Sequence, residues 1–344
     1  MEGMKKMEDF KKINGKEVRA IEVNDGDSNN TKFLGRLFWY TIGETLAPID
    51  EYSEFVKINN ITRELVPNAP KPKNAWRRAT KDMEHAEELD DDTTVEFMTR
   101  RLNKDVRHFV REVKNTKKGR LEYEELIKWT YVNAEKGRGE YVSWNPLVDD
   151  ESRIKDIAKY HRKMGDIKER YEKSFTEHEI RRAIRDILEQ SRQISLKSSG
   201  GVYFIPEQYA EKLTDIKSVL THINKWGQSS FRSELWQVPV ISNNEQRDMI
   251  EQGIREETVS YADSKMKEIK ELLENGEEIT QKRYTTLITE LKKVEERKNE
   301  YAEIIGRNLE TCDEQLDIMK LQIRKLADNV KETGKTKSLN DFTE

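Results

Sequence analysis

The stretch "RRLNKDVRHFVREVKNTKKGRLEYEELIKWTYVN", residues 100–133, decides the fold class. Two runs of partly alternating apolar and polar residues flank the turn "NTKKG". Period-two alternation on both sides of a glycine-containing turn predicts a β-hairpin. Residues 100–120 carry nine Lys and Arg against Asp105 and Glu112, so this hairpin is basic. A third run, "GRGEYVSWN" at 137–145, predicts another strand. Residues 97–146 therefore read as a small basic antiparallel sheet.

Upstream the charge reverses. Residues 82–96 hold eight carboxylates and no Lys or Arg. Before them "NAWRRATKDMEHAEEL" (74–89) predicts a helix capped by Asn74. Arg77 and Arg78 at its start oppose the helix dipole, which favours anions there. That placement makes them candidates for holding a carboxylate or phosphate, with Trp76 beside them. The proline-rich "VPNAPKPK" (66–73) is a connector, and Pro48 opens a further helix. "FLGRLFWYTIGETL" (33–46), dense in large apolar groups, predicts a buried helix. Residues 10–23 predict a hairpin about Asn14-Gly15. The following "NDGDSNN" starts like a calcium loop but fails it, with Asn30 in place of glycine and Arg36 in place of glutamate.

Downstream, from Asp149, apolar residues fall at helical spacing through Tyr171. Thr176 with Glu179 three residues on forms a capping box for a helix at 175–193. "SSGGVYFIPEQYAEKL" (198–213) places its glycines before a strand. A phosphate cradle puts them after a strand and before a helix. The segment predicts a hairpin turning on Ser198 to Gly201, with Tyr203 as a rigid candidate aromatic contact. "SSFRSELWQVPVI" (229–241) predicts a strand. In the last third, apolar positions alternate at three and four residues from Ile250 to Leu273 and from Tyr284 to Val330. Lys298 alone interrupts the second run, and an extra four-residue step marks a stutter at Ile305. With Asn275-Gly276 between them, the two runs predict an antiparallel coiled-coil hairpin. Its arms would measure about 45 Å and about 75 Å at the helical rise. The overhanging residues 309–330 then need a further apolar stripe, from the helix at 151–172 or from a second copy.

Composition narrows the chemistry. Charged residues are 37% of the 344 and hydrophobic residues 35%, with a net charge of −4. The excess over a usual charged share of about 25% indicates long exposed helices. Any basic surface must be local. Cys312 is the one cysteine, which excludes an internal disulfide and a thiolate metal cluster. The five histidines show no ligand spacing, so neither metal nor cofactor is expected. "TGKTKS" (333–338) lacks the glycine and preceding strand of a P-loop. No Gly-x-Ser-x-Gly elbow occurs, and no apolar run approaches the roughly 18 residues of a membrane span.

"NAWRRAT" (74–80) and "GGVYFIP" (200–206), about 120 residues apart, together resemble the motifs of an uncharacterised protein family of phages, plasmids and prokaryotic genomes. The resemblance implies a mobile-element context and brings no activity with it.

The expected fold is α+β. An N-terminal mixed region (1–96) leads into the basic sheet (97–146). A helical segment with the Gly-Gly hairpin (147–242), the coiled coil (243–332) and a disordered tail (333–344) follow. The expected function is non-enzymatic: a cytoplasmic binding factor engaging nucleic acid or a host protein, assembled through its coiled coil. Arg100, Arg101, Arg107, Arg111, Lys117, Lys118 and Arg120 would meet phosphates, with Phe109 and Trp129 for stacking. A competing account of those charges is that they answer the acidic run at 82–96. The alternatives are an enzyme acting on nucleotides or nucleic acid around Arg77, Arg78 and Tyr203, and a purely structural coiled-coil protein.

Overall fold

In the computed structural model the described residues are 10–13, 16–19, 33–117, 119–133, 139–197, 201–274 and 280–326. The calcium-like residues 25–30, Lys118, the turn residues 198–200 and the P-loop-like 333–338 lie outside them. In chain order the strands and helices are β1 (Phe10–Ile13), β2 (Lys16–Arg19), β3 (Phe33–Thr41), β4 (Leu46–Pro48), α1 (Ile49–Ile58) and α2 (Pro72–Asp82). Then come β5 (His85–Asp90), β6 (Thr93–Arg101), β7 (Val106–Asn115), β8 (Arg120–Val132) and β9 (Tyr141–Pro146). The chain continues through α3 (Glu151–Glu172), β10 (Ser174–Thr176), α4 (Glu177–Gln190), β11 (Ile194–Ser195), β12 (Tyr203–Pro206) and α5 (Ala210–Ile223). It ends on β13 (Glu234–Ile241), α6 (Asn244–Glu274), α7 (Gln281–Ile305) and α8 (Glu310–Leu326). The fold is mixed, with small antiparallel sheets and a helical C-terminal region. Contacts divide it into two discontinuous units, 38–193 with 208–237, and 1–37 with 194–207 and 238–344.

The first unit is built on the predicted basic hairpin. β5 to β9 form an antiparallel meander in sequence order. β7 and β8 pair from Asn115 opposite Arg120 down to Val106 opposite Thr130. One face of the sheet presents Phe97, Phe109, Ile127 and Trp129, and these pack with Trp76, Ala79 and Met83 of α2 and with Ile157, Met164 and Ile167 of α3. The sheet begins earlier than the composition shift implied. The helix expected over 74–89 ends at Asp82, and its acidic second half is β5. Pro72 takes a first-turn position, where a missing N–H costs little. Lys71, not Asn74, is the cap residue.

The helix expected over 33–46 is instead a strand, β3. It is an inner strand of the sheet ordered β11–β12–β3–β13. Phe33–Thr41 is rich in large apolar groups and its burial does not alternate strictly, so periodicity alone does not separate it from a buried helix. Gly35 fits its place there, because a Cβ would stand 2.0 Å from the Ile205 carbonyl oxygen. The Gly-Gly segment is a hairpin as expected, with Ile194 opposite Phe204 and Ser195 opposite Tyr203. The strand expected over 229–241 begins only at Glu234.

In the second unit the two-armed coiled coil gives way to three helices. The second arm stops at Gly306, the position of the stutter, whose φ of 66° is left-handed and favours glycine. α8 then turns back along α6 and α7. Leu316, Met319, Ile323 and Leu326 join Leu287, Leu291, Ala262 and Ile269 in one core. Residues 309–326 of the overhang thus pack within the chain, against α6 and α7. Lys298, the one interruption of the stripe, is buried and lies 2.5 Å from Asp313 on α8.

Candidate anion-binding cleft

Within the first unit, residues 44–46, α2, β7, the end of α3 and the start of α4 enclose a cleft of about 590 Å³. Ligand sites commonly measure about 300–1,000 Å³. Arg77, Arg78, Lys81, Arg107 and Arg170 line it, with Glu44, Asp82 and Glu177 as the carboxylates.

Each wall has a local reason. α2 turns its apolar face, Trp76, Ala79 and Met83, into the sheet core. Helical spacing leaves Arg77, Arg78 and Lys81 on its other side. Arg78 is anchored, with its two terminal nitrogens 3.0 and 2.7 Å from the two carboxylate oxygens of Glu179. Glu179 also accepts from the Thr176 backbone N–H at 3.0 Å, completing the capping box of α4. Burial, the largest influence on Glu179, pushes its carboxyl up. Hydrogen bonds from Arg78 and Thr176 and the Arg78 charge outweigh it, and the group sits below the usual glutamate range. The Arg78 guanidinium lies 6.0 Å over the Tyr171 ring, and the Tyr171 hydroxyl donates to Asp82 at 2.5 Å. Burial and Asp82 raise the Tyr171 pKa, so the phenol stays protonated at neutral pH.

Arg107 is the built feature. Its guanidinium lies 5.4 Å over the fully buried Trp76 ring. Nη1 donates to the Arg77 carbonyl at 3.1 Å and to the Thr80 hydroxyl at 2.7 Å. Neither Nη2 nor Nε has a partner among the described residues. Partial burial, then the charges of Arg77 and Arg101, pull Arg107 below the usual arginine range, with Glu84 opposing. It remains a cation at neutral pH. Glu84 itself is engaged by Lys81 and by the Thr99 N–H. Arg77 donates only to the Lys104 carbonyl, at 3.4 Å. Among the described residues Arg77, Arg107 and Arg170 form no ion pair with a carboxylate. The α4 N-terminus adds little attraction for an anion, since Glu177 and Glu179 occupy its first turn. No group of three His, Cys, Asp or Glu side chains among the described residues is arranged to hold a metal ion.

The other cations expected to bind are differently placed. Arg100 pairs with Glu112 at 2.8 Å, Arg111 approaches Glu124 at 3.9 Å, and Lys117 pairs with Asp92 at 2.5 Å. Lys114, in the same hairpin, pairs with Glu96 at 2.7 Å. Asp92 and Glu96 belong to the acidic run, so the sheet does answer its own charge. Arg101 is exposed and its Nε donates to the Asn103 carbonyl at 3.3 Å. Arg120 opens β8. Phe109, Trp129 and Trp76 are fully buried and present no face for stacking. Tyr203 is half-buried on β12 in the other unit, and it does not line the cleft. Sequence reading missed Arg170, Lys81 and Tyr171. The capping box located the start of α4, but nothing local to α3 or α4 shows that they meet α2.

Residues 33–332 match the model of a family of unknown function (DUF6744), and the chain belongs to that family. No curated protein and no solved structure matches it.

Proposed function

We propose that this chain is a non-enzymatic binding protein whose cleft takes the phosphate groups of a nucleic acid. The observation that carries this reading is Arg107. It is fixed by a buried tryptophan, a carbonyl and a hydroxyl, it has donors to spare, and other arginines without carboxylate partners stand around it. The cations lining the cleft outnumber its carboxylates five to three, an excess that a polyanion would stabilise, and the local concentration overcomes a net charge of −4. The mobile-element context implied by the motif resemblance is compatible with a nucleic-acid ligand.

The test is anisotropy of labelled DNA oligonucleotides, single- and double-stranded, over a series of salt concentrations. Neutralised phosphates release counterions, so affinity should fall steeply with salt. R77E combined with R170E should weaken binding by about tenfold or more and flatten the salt slope by about two. If the unmodified chain binds neither DNA at low salt, the reading fails.

A further inference from the structure

The register of the sheet extends the positive charge of the cleft. Arg101 and Arg107 are directly opposite in the β6–β7 pairing. Like charges facing each other across an antiparallel pair are destabilising, and neither has a carboxylate partner among the described residues. The turn that joins them continues the positive line. Arg77 reaches the Lys104 carbonyl, and Lys104 is exposed. The only acid of that turn, Asp105, is bound by Lys73. The turn is also ordered: the Leu102 N–H donates to the Val106 carbonyl at 3.1 Å, and the Asp105 N–H to the Asn103 side chain at 2.8 Å.

Resting on the reading of the cleft as a phosphate site, we propose that its ligand is a single-stranded segment of nucleic acid. One phosphate sits in the cleft at Arg107 and Arg77, and the following phosphates lie over Arg101 and Lys104 on the β6–β7 turn. Opposed residues in such a pair stand about 5 Å apart, so the cations form a closely spaced line suited to tracking a flexible backbone. A duplex holds its phosphates on the outside of a wide, stiff rod, and that rod does not enter a cleft of about 590 Å³. The exit over the turn is selected by charge. The segments at 44–46 and at the start of α4 carry Glu44 and Glu177, which repel a backbone leaving on their side.

The experiment compares four probes in one anisotropy and competition format. They are inorganic phosphate, single strands of two and of twelve nucleotides, and a blunt duplex of twelve pairs. Each is tested against the full chain, R107Q, R101Q/K104Q and K104Q alone, with circular dichroism checking the fold of each. The twelve-nucleotide strand should bind about tenfold or more tighter than the short strand and the duplex, since each added phosphate contact releases counterions. R101Q/K104Q should remove that length advantage and K104Q part of it, with competition by inorganic phosphate unchanged. R107Q should weaken every probe. The single-strand proposal is overturned if the duplex binds as well as the strand, or if R101Q/K104Q leaves the length advantage intact. In both cases the cleft reading survives. Failure of every probe on the unmodified chain overturns the cleft reading as well.

Discussion

The β6–β7–β8 surface and the cleft are both rich in arginine and lysine, and they differ in what answers those charges. On the sheet, Arg100, Lys114 and Lys117 each meet a carboxylate of the same sheet within 2.8 Å. In the cleft, Arg77, Arg107 and Arg170 meet none among the described residues. A cation already paired has to give up its partner before it binds a ligand, and it gains only the difference. An unpaired, pre-oriented cation gains the full charge-assisted contact. A count of basic residues alone therefore does not separate the two regions. What distinguishes the two is cross-strand register, which places Lys114 by Glu96 and Arg107 opposite Arg101.

Arg78 sharpens the contrast, because, like Lys81, it lies in the cleft and is paired. Removing its partner should give the largest effect. Glu179→Ala leaves a half-buried arginine uncompensated and removes the Glu179 half of the α4 capping box, so urea denaturation should show a loss of about 2 kcal/mol or more. Arg77→Ala, at the neighbouring position, should change stability little. Equal losses at the two positions would erase the distinction between paired and unpaired cleft arginines. The pair also sets a pH dependence. A carboxyl held below its unfolded pKa contributes stability that is fully present above the unfolded value. That contribution is lost as pH falls through the folded one. The unmodified chain should thus lose stability on acidification below the usual glutamate range, and Glu179→Gln should flatten that limb of the profile.

Much of this was legible along the chain, and the rest was not for physical reasons. Alternation around "NTKKG" located β7 and β8, and Thr176 with Glu179 located the start of α4, because both signals are local. β3 was not legible. Its run of large apolar groups does not separate a strand from a buried helix, and its neighbours β12 and β13 lie far away in sequence. The three-helix bundle was half legible. The stutter at Ile305 marks the break, but a stutter within one helix and a turn between two share the same spacing. Lys298 looked like a flaw in a stripe and is one half of an ion pair with Asp313, fifteen residues on. Of the site, Arg77 and Arg78 stood out by their conflict with the helix dipole. Arg170 did not, because only the packing of α3 beside α2 brings it there.

A smaller effect tests whether the cleft side is held under electrostatic strain. Arg101→Gln removes one of two like charges that face each other across β6 and β7. It should raise stability by about 0.2–1 kcal/mol in denaturant titrations at low salt, and the gain should shrink as salt screens the repulsion. The same substitution belongs to the double variant expected to weaken single-strand binding. Stability rising while binding falls is the signature of a residue retained for its ligand. A loss of stability would place Arg101 with the structural cations of the sheet.

The smallest effects are expected where the sequence is most basic. Lys114→Ala and Lys117→Ala each break an exposed or half-exposed pair on the sheet, and such pairs contribute under about 1 kcal/mol. Stability should move by less than about 0.5 kcal/mol in either variant. Binding of the twelve-nucleotide strand should stay within about twofold of the unmodified chain, with the same salt slope, because neither lysine releases a DNA counterion. A drop in slope of about one per lysine would show that the nucleic acid displaces Asp92 and Glu96. The acidic run would then act as a removable mask over the hairpin, and pairing in the free protein would no longer separate the two surfaces. The double-stranded probe makes the comparison strict, since an exposed hairpin meets a rigid rod as readily as a flexible strand and the cleft does not.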